Sequence, residues 1–297
     1  MTDPASAGAS PKTPSAALPD ALRLGVAELA VSDLGRSVAF YERVVGLRTL
    51  DREGRVATLG GAGGEGVIRL VETPGAAPKP RAAAGLFHIA ILLPERRDLG
   101  LTLARLLREG VRRLGASDHL VSEALYLDDP DGNGLEIYRD RPEAEWPREN
   151  GALKMATEPM DRDGVLALLG AGADLDAPQP AGTRLGHVHL QVGDLAAARA
   201  FWIDAVGFAL TTTYPGALFM SAGGYHHHLA ANVWSSRGSG PAPEGSAGLR
   251  SFEILLPDGG AVEEVAARLR AAGVATRERD GLEASDPWGS TARFRVA

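Results

Sequence analysis

RLGVAELAVSDLGRSVAFYERVVGL at residues 23–47 and RLGHVHLQVGDLAAARAFWIDAVGF at residues 184–208 align without a gap. In each copy an alternation of apolar and polar residues reads as a strand. Asp33 or Asp194 then opens an amphipathic helix, which ends at Gly46 or Gly207. More strand-like segments follow: RVATL and GVIRLVE in the first copy, GALFMSA and HHHLAANVW in the second.

A second pair of stretches aligns in the same way. GLFHIAILLP at 85–94 matches GLRSFEILLP at 248–257. Each runs into a helical pattern, LGLTLARLLREG or VEEVAARLRAAG, and closes in a strand introduced by a DP turn, DPDGNGLEIYRD from Asp129 or DPWGSTARFRVA from Asp286. The chain therefore reads as four βαβββ units at roughly 22–80, 84–140, 184–236 and 247–297, an α+β protein by repetition. Units one and two make an N-terminal domain at 22–140, and units three and four a C-terminal domain at 184–297. The stretch 141–183 joins them and carries one short helix, DRDGVLALLGAG.

The 297 residues suffice for two substantial cores. Hydrophobic residues at 44% and charged residues at 23% match a soluble globular protein. A net charge of −7 with no basic run argues against a nucleic-acid surface. No cysteine is present, which excludes disulfides, thiolate metal sites and a cysteine nucleophile. The first twenty residues are rich in Ala, Pro and Ser and read as a flexible tail, without the basic start and apolar core of a secretory signal. With no apolar run of membrane-spanning length, a soluble, cytoplasmic protein without a membrane partner is expected. All seven histidines, His88, His119, His187, His189, His226, His227 and His228, fall in the middle of the chain.

A βαβββ unit leaves one sheet face uncovered, so units pair to close a curved sheet around a cavity. The repeat resembles the vicinal oxygen chelate superfamily, the glyoxalase, bleomycin-resistance and dioxygenase fold, in which modules pair into curved open barrels. Four units over nearly the whole chain from about residue 22 look most like the extradiol ring-cleaving dioxygenases, in particular the catechol 2,3-dioxygenase subgroup. The resemblance implies a metal held by the first strands of paired units and by a last strand. Those slots hold Val26, His88, His187 and Ser251 on first strands, and Glu136 and Arg293 on last strands. Neither half supplies a full set. Better-known extradiol enzymes draw all three ligands from the C-terminal half, so this chain departs from them. Pairing unit two with unit three unites His88, Glu136 and His187 in one barrel and leaves units one and four to form a barrel without metal. Two histidines and a carboxylate are the facial triad of non-haem Fe(II) oxygenases, with Mn(II) as the alternative metal.

The resemblance also implies an acid–base histidine in the run GGYHHHLAANVW. Matching the run favours His227, while a one-residue slip in register exchanges its face for that of His226 and His228. These two, with His189, are expected to line the substrate pocket. Tyr126, ten residues before Glu136, and His119 before it complete the implied catalytic set. Trp202, Phe219 and Trp234 are further aromatic candidates. The expected reaction is Fe(II)-dependent insertion of dioxygen into catechol or a substituted catechol, giving a ring-opened semialdehyde. A lyase, isomerase or thiol transferase of the same superfamily and a metal-free small-molecule binder are the alternatives. Four units leave sheet edges free, which is compatible with a homo-oligomer.

Overall fold

The computed structural model describes residues 17–149 and 151–297. Residues 1–16 of the expected tail lie outside the described residues. Leu18, near its end, is buried and donates its N–H to the Gly207 carbonyl at 2.9 Å.

Unit one comprises β1 (Arg23–Val31), α1 (Leu34–Phe40) with a π turn at Tyr41–Val45, β2 (Arg48–Glu53), β3 (Val56–Gly60) and β4 (Gly66–Glu72). Unit two comprises β5 (Gly85–Leu93), α2 (Arg96–Arg108), β6 (Gly115–Asp118), β7 (Ser122–Asp128) and β8 (Gly134–Asp140). The joining stretch contributes β9 (Arg148–Glu149), β10 (Ala152–Leu153), β11 (Glu158–Pro159) and the short helix α3 (Arg162–Leu166). Unit three is β12 (Arg184–Gln191), α4 (Leu195–Arg199) with a π turn at Ala200–Val206, β13 (Ala209–Tyr214), β14 (Ala217–Ser221) and β15 (Leu229–Asn232). Unit four is β16 (Gly248–Leu256), α5 (Gly259–Ala271), β17 (Thr276–Glu278), β18 (Leu282–Ser285) and β19 (Thr291–Val296).

Two helices start at Asp33 and Asp194, where the sequence marks them, and Asp258 opens α5 in the same way. Each of the three accepts a backbone N–H from three residues on, which satisfies one orphan donor of the first turn. Gly46 and Gly207 stop α1 and α4 in the left-handed region, at φ of 87° and 105°.

Two large mixed sheets curl into half-barrels. One has the order β17-β18-β19-β16-β1-β4-β3-β2, the other β11-β6-β7-β8-β5-β12-β15-β14-β13. The sequence halves 22–140 and 184–297 each contribute one unit to each sheet. The join between units is antiparallel in both: β16 against β1, and β5 against β12. One continuous apolar core, including Leu29, Ile68, Ile89, Leu190, Phe252 and Phe294, runs through both sheets.

Polar contacts tie units of the same half together. The Asp131 carboxylate, in the DP turn of unit two, accepts from Ser32 and Arg36 of unit one. Tyr41 donates its hydroxyl to Asp129 at 3.1 Å. Arg105 of α2, buried at 2% exposure, donates to the carbonyls of Val45, Leu175 and Ala177, so unit two grips both unit one and the joining stretch. No helix among the described residues is long and apolar enough to cross a membrane.

Gly134 sits where β8 runs beside β5, in register with His88. A Cβ there would overlap the Phe87 carbonyl oxygen and stand 3.2 Å from the His88 Cβ. The obstruction is main chain and cannot rotate away. Gly134→Ala is therefore expected to destabilise the fold by about 1–3 kcal/mol, read as a lower urea midpoint at unchanged m-value. An unchanged midpoint would show that the two strands separate freely.

Candidate metal centre

Strand register brings distant residues into one row. Tyr126 on β7 lies opposite Glu136 on β8, Glu136 opposite Ala90 on β5, and Ala90 opposite His187 on β12. Ala90 has no bulk, so Glu136 and His187 reach toward each other across it. His88 stands two residues along β5 on the same face. The three side chains converge: His88 Nε2 to Glu136 Oε2 is 3.0 Å, His187 Nε2 to Glu136 Oε2 is 3.1 Å, and the two Nε2 atoms are 3.3 Å apart. All three residues are buried.

Two irregularities in the β5–β12 ladder flank the histidines. Gly186 is an extra residue on β12 and Phe87 an extra residue on β5. Such bulges re-aim side chains. Phe87 consequently shares the cavity with its neighbour His88, rather than facing away from it as regular alternation requires.

Burial pulls His187 down to about 4, against the pull of Glu136 in the other direction. Burial alone would raise the Glu136 carboxyl, but contact with His187 and His88 outweighs it and holds the group well below the usual range. Burial, reinforced by neighbouring histidines, also holds His189 and His227 well below the ordinary value. Burial and then the Glu136 carboxylate keep the Tyr126 phenol protonated. The donor set suits a divalent cation: an ion about 2.1 Å from three donors near right angles would hold them about 3 Å apart. One feature of metal-binding histidines is missing, since buried His187 Nδ1 has no hydrogen-bond partner in the described structure.

His88 and Glu136 line a cavity of about 420 Å³, a size that encloses a small organic ligand, while His187, buried against both, is not among its lining residues. His227, Tyr126, His119 and His189 also line it. His227 packs its ring 4.0 Å from that of His187 and 5.0 Å from Phe219. His119 Nδ1 lies 2.7 Å from the Ala156 carbonyl, so Nδ1 carries the proton. Its Nε2 then accepts from the Tyr126 hydroxyl, also at 2.7 Å. His189 Nε2 accepts from Asn232 Nδ2 at 3.0 Å.

Two expected pocket residues are not among those lining the cavity. His226 turns outward and places Nε2 2.8 Å from Asp140 Oδ1, touching the site only through Nδ1, 2.7 Å from His227 Nδ1. His228 lines a separate small cleft with Arg184 and Tyr225 and accepts the Ala222 N–H. The three histidines, expected on the last strand of unit three, precede β15, which begins at Leu229, so the bent course of the chain and not strand alternation separates them. Burial pulls His228 down to about 3. Of the aromatic candidates, Phe219 and Trp234 line the cavity, while Trp202 is fully buried in the core.

Sequence reasoning missed Phe87, Val121, Met155 and Tyr214 in the cavity wall. Met155, Ala156 and Thr157 come from the stretch read as a linker, which also adds β11 to the edge of the sheet.

The other sheet repeats the row without the site. Glu253 stands in the place of Ala90, accepts the Val26 N–H at 3.1 Å and pairs with Arg295 at 2.9 Å. Arg293, in the place of Glu136, pairs with Glu283 at 2.9 Å. Ion pairs fill the space that the first barrel leaves open.

The family model for the Glyoxalase/Bleomycin resistance protein/Dioxygenase superfamily matches residues 23–137 and 184–290. A Bacillus subtilis (strain 168) protein named catechol-2,3-dioxygenase is 42% identical over 269 residues, covering 89% of this chain and 93% of that protein. Among solved structures, a dioxygenase candidate from Bacillus subtilis aligns with a TM-score of 0.64 at 13% identity, covering 92% of this chain and 84% of that one. Glyoxalase I from Zea mays aligns with a TM-score of 0.56 at 18% identity, covering 93% and 92%. At these identities the two structures share the fold.

Metal-free protein should bind one Mn(II) or Fe(II) per chain in anaerobic titration calorimetry. His88→Ala and Glu136→Gln should each lose that binding, and wild-type affinity in both would remove them as ligands. Acid should weaken the metal-free fold. His187 accepts a proton in the folded state only near pH 4 but from about pH 6.5 when unfolded. The unfolded chain therefore holds more protons in that window, and stability should fall as pH drops from 6.5 to 4. Urea midpoints at pH 7, 5.5 and 4.5 test this, and a flat series would contradict a buried neutral His187.

Proposed function

Since this chain belongs to the Glyoxalase/Bleomycin resistance protein/Dioxygenase superfamily and stands with its dioxygenase-like enzymes, we propose that it is an Fe(II)-dependent extradiol dioxygenase opening catechol or a substituted catechol. The observation that carries this reading is the convergence of His88, Glu136 and His187 at 3.0–3.3 Å beside a cavity that His88 and Glu136 line together with acid–base side chains. These three residues would hold the metal. Fe(II), or Mn(II) with similar ligand tastes, supplies a positive centre with open positions for a diol and dioxygen.

The chain's own groups have distinct work. His227 Nδ1 is engaged by His226, which leaves Nε2 to take a proton from a diol hydroxyl and to return it as the ring opens. Burial keeps His227 neutral and therefore able to accept. Tyr126 directs its hydroxyl proton to His119 Nε2, and the Ala156 carbonyl fixes the tautomer of that ring. The pair offers a fixed polar contact to a diol oxygen beside Glu136. His189, tethered by Asn232, forms part of the wall. The partners are a small aromatic diol and dioxygen, met in the cytoplasm without nucleic acid or membrane. The free edges β2, β11, β13 and β17 are compatible with a homo-oligomer.

Protein purified anaerobically and loaded with Fe(II) should turn catechol into a yellow ring-opened semialdehyde with matching oxygen uptake. His227→Gln should lower kcat by about 10²–10⁴-fold while leaving iron content unchanged. An undiminished rate would move the proton to another group. Bound iron with no oxygen uptake on any catechol would sink the dioxygenase reading itself.

A further inference from the structure

Exposed aromatic side chains are confined to one place in this molecule. Among the described residues, Phe87, Tyr214 and Trp234 are the exposed ones, at 38%, 57% and 46%, and all three line the cavity above the candidate metal centre. They come from β5, β13 and the segment after β15, so only the tertiary fold gathers them. Trp234 packs edge-on against Phe87 at 5.4 Å and against Tyr214 at 6.5 Å. Its indole donates to the Pro215 carbonyl at 2.9 Å, which fixes the ring at the mouth. Phe87 and Trp234 also rest on His189, at 4.9 and 5.4 Å. A run of rings thus leads from the buried histidines to solvent. Exposed apolar surface held in this way marks a binding site more often than chance.

The charge of the cavity is as one-sided as its shape. Among the described residues no arginine or lysine lines it, and Glu136 is its one carboxylate. His119 already uses both ring nitrogens, and His189 Nε2 is taken by Asn232. Val121 and Met155 make the opposite wall apolar. A diol carrying a carboxylate would bring that charge into this space with no arginine or lysine side chain to pair it.

We infer that the site selects uncharged diols bearing an apolar arm, aryl or bulky alkyl, and that the arm lies on the rim of Phe87, Tyr214 and Trp234. An aryl arm gains edge-to-face contact there in addition to burial. The inference rests on the reading of the cavity as the diol site, and its test separates the two.

Binding without turnover comes first. In calorimetry on the metal-free protein, 4-phenylphenol should bind at least about tenfold more tightly than 4-hydroxyphenylacetate. Trp234→Ala and Phe87→Ala should reduce that ratio toward unity, and Trp234→Phe, which keeps a ring face, should retain most of it. Turnover comes second. On the iron-loaded enzyme, kcat/KM for 4-phenylcatechol should exceed that for 3,4-dihydroxyphenylacetate by on the order of 100-fold, lost mainly through KM in Trp234→Ala. Equal binding of the two phenols, or preference for the carboxylate, overturns the inference. So does equal binding together with self-association that Trp234→Ala abolishes, which would make the rim a contact between copies of the chain. Selective binding of 4-phenylphenol with no oxygen uptake on any catechol supports the inference and removes only the dioxygenase reading.

Discussion

The antiparallel ladder between β5 and β12 is the join on which the rest of the site depends. His88 stands on one strand and His187 on the other, and Glu136 reaches the pair only because β8 lies parallel to β5 in a fixed register. Two main-chain ladders therefore set the positions of three donors, with no loop between them. Ala90 is the quiet requirement of this arrangement. The equivalent place in the other barrel carries Glu253, whose carboxylate fills the room that Ala90 leaves empty. One barrel becomes a cavity and the other a closed set of ion pairs through a few side chains on the same scaffold.

A buried carboxylate among buried histidines is an uneasy neighbourhood, since each member loses hydration on folding. The surrounding strands compensate with polar contacts that are themselves satisfied. Glu123, fully buried behind the site, accepts from Arg96 and Arg139, which together outweigh the effect of burial and hold its carboxyl down. Asp140 receives both Tyr225 and His226, and Trp146 donates its indole N–H to the Arg141 carbonyl. His187 Nδ1 is an exception, as a buried nitrogen without a partner. Local departures of this kind gather at working sites, where the structure keeps groups that stability alone would not choose.

The repeat made the fold legible, because the same apolar periodicity recurs with the same caps and turns in four places. The helix starts at Asp33 and Asp194 follow directly from that pattern. The complementary slots also carried the pairing of unit two with unit three, since neither half holds a full donor set. Three features were beyond reach for physical reasons. A bulge leaves no mark in a strand pattern, so nothing in the sequence places Phe87 in the same cavity as His88. The stretch 141–183 lacks periodicity, yet Met155 and the Ala156 carbonyl face the cavity because β11 anchors that stretch to the sheet edge. Matching the histidine run favoured His227, but the course of the chain before β15, which takes buried His226 and His228 away from the cavity, left no mark in the sequence.

The sheet order has a consequence for how the molecule is born. His88 and His187 are 99 positions apart, so their meeting closes a long loop and contributes heavily to contact order. The pairing of units is nested: the inner two share one sheet, and the outermost two share the other. During synthesis unit one emerges first but must wait for the last fifty or so residues before its partner strand β16 and the strands beyond it exist. The inner barrel can close earlier, once β15 has left the ribosome. The candidate metal centre can thus be assembled before unit four is made, while β1, already paired with β4, still shows its other edge to a chaperone or a neighbouring nascent chain.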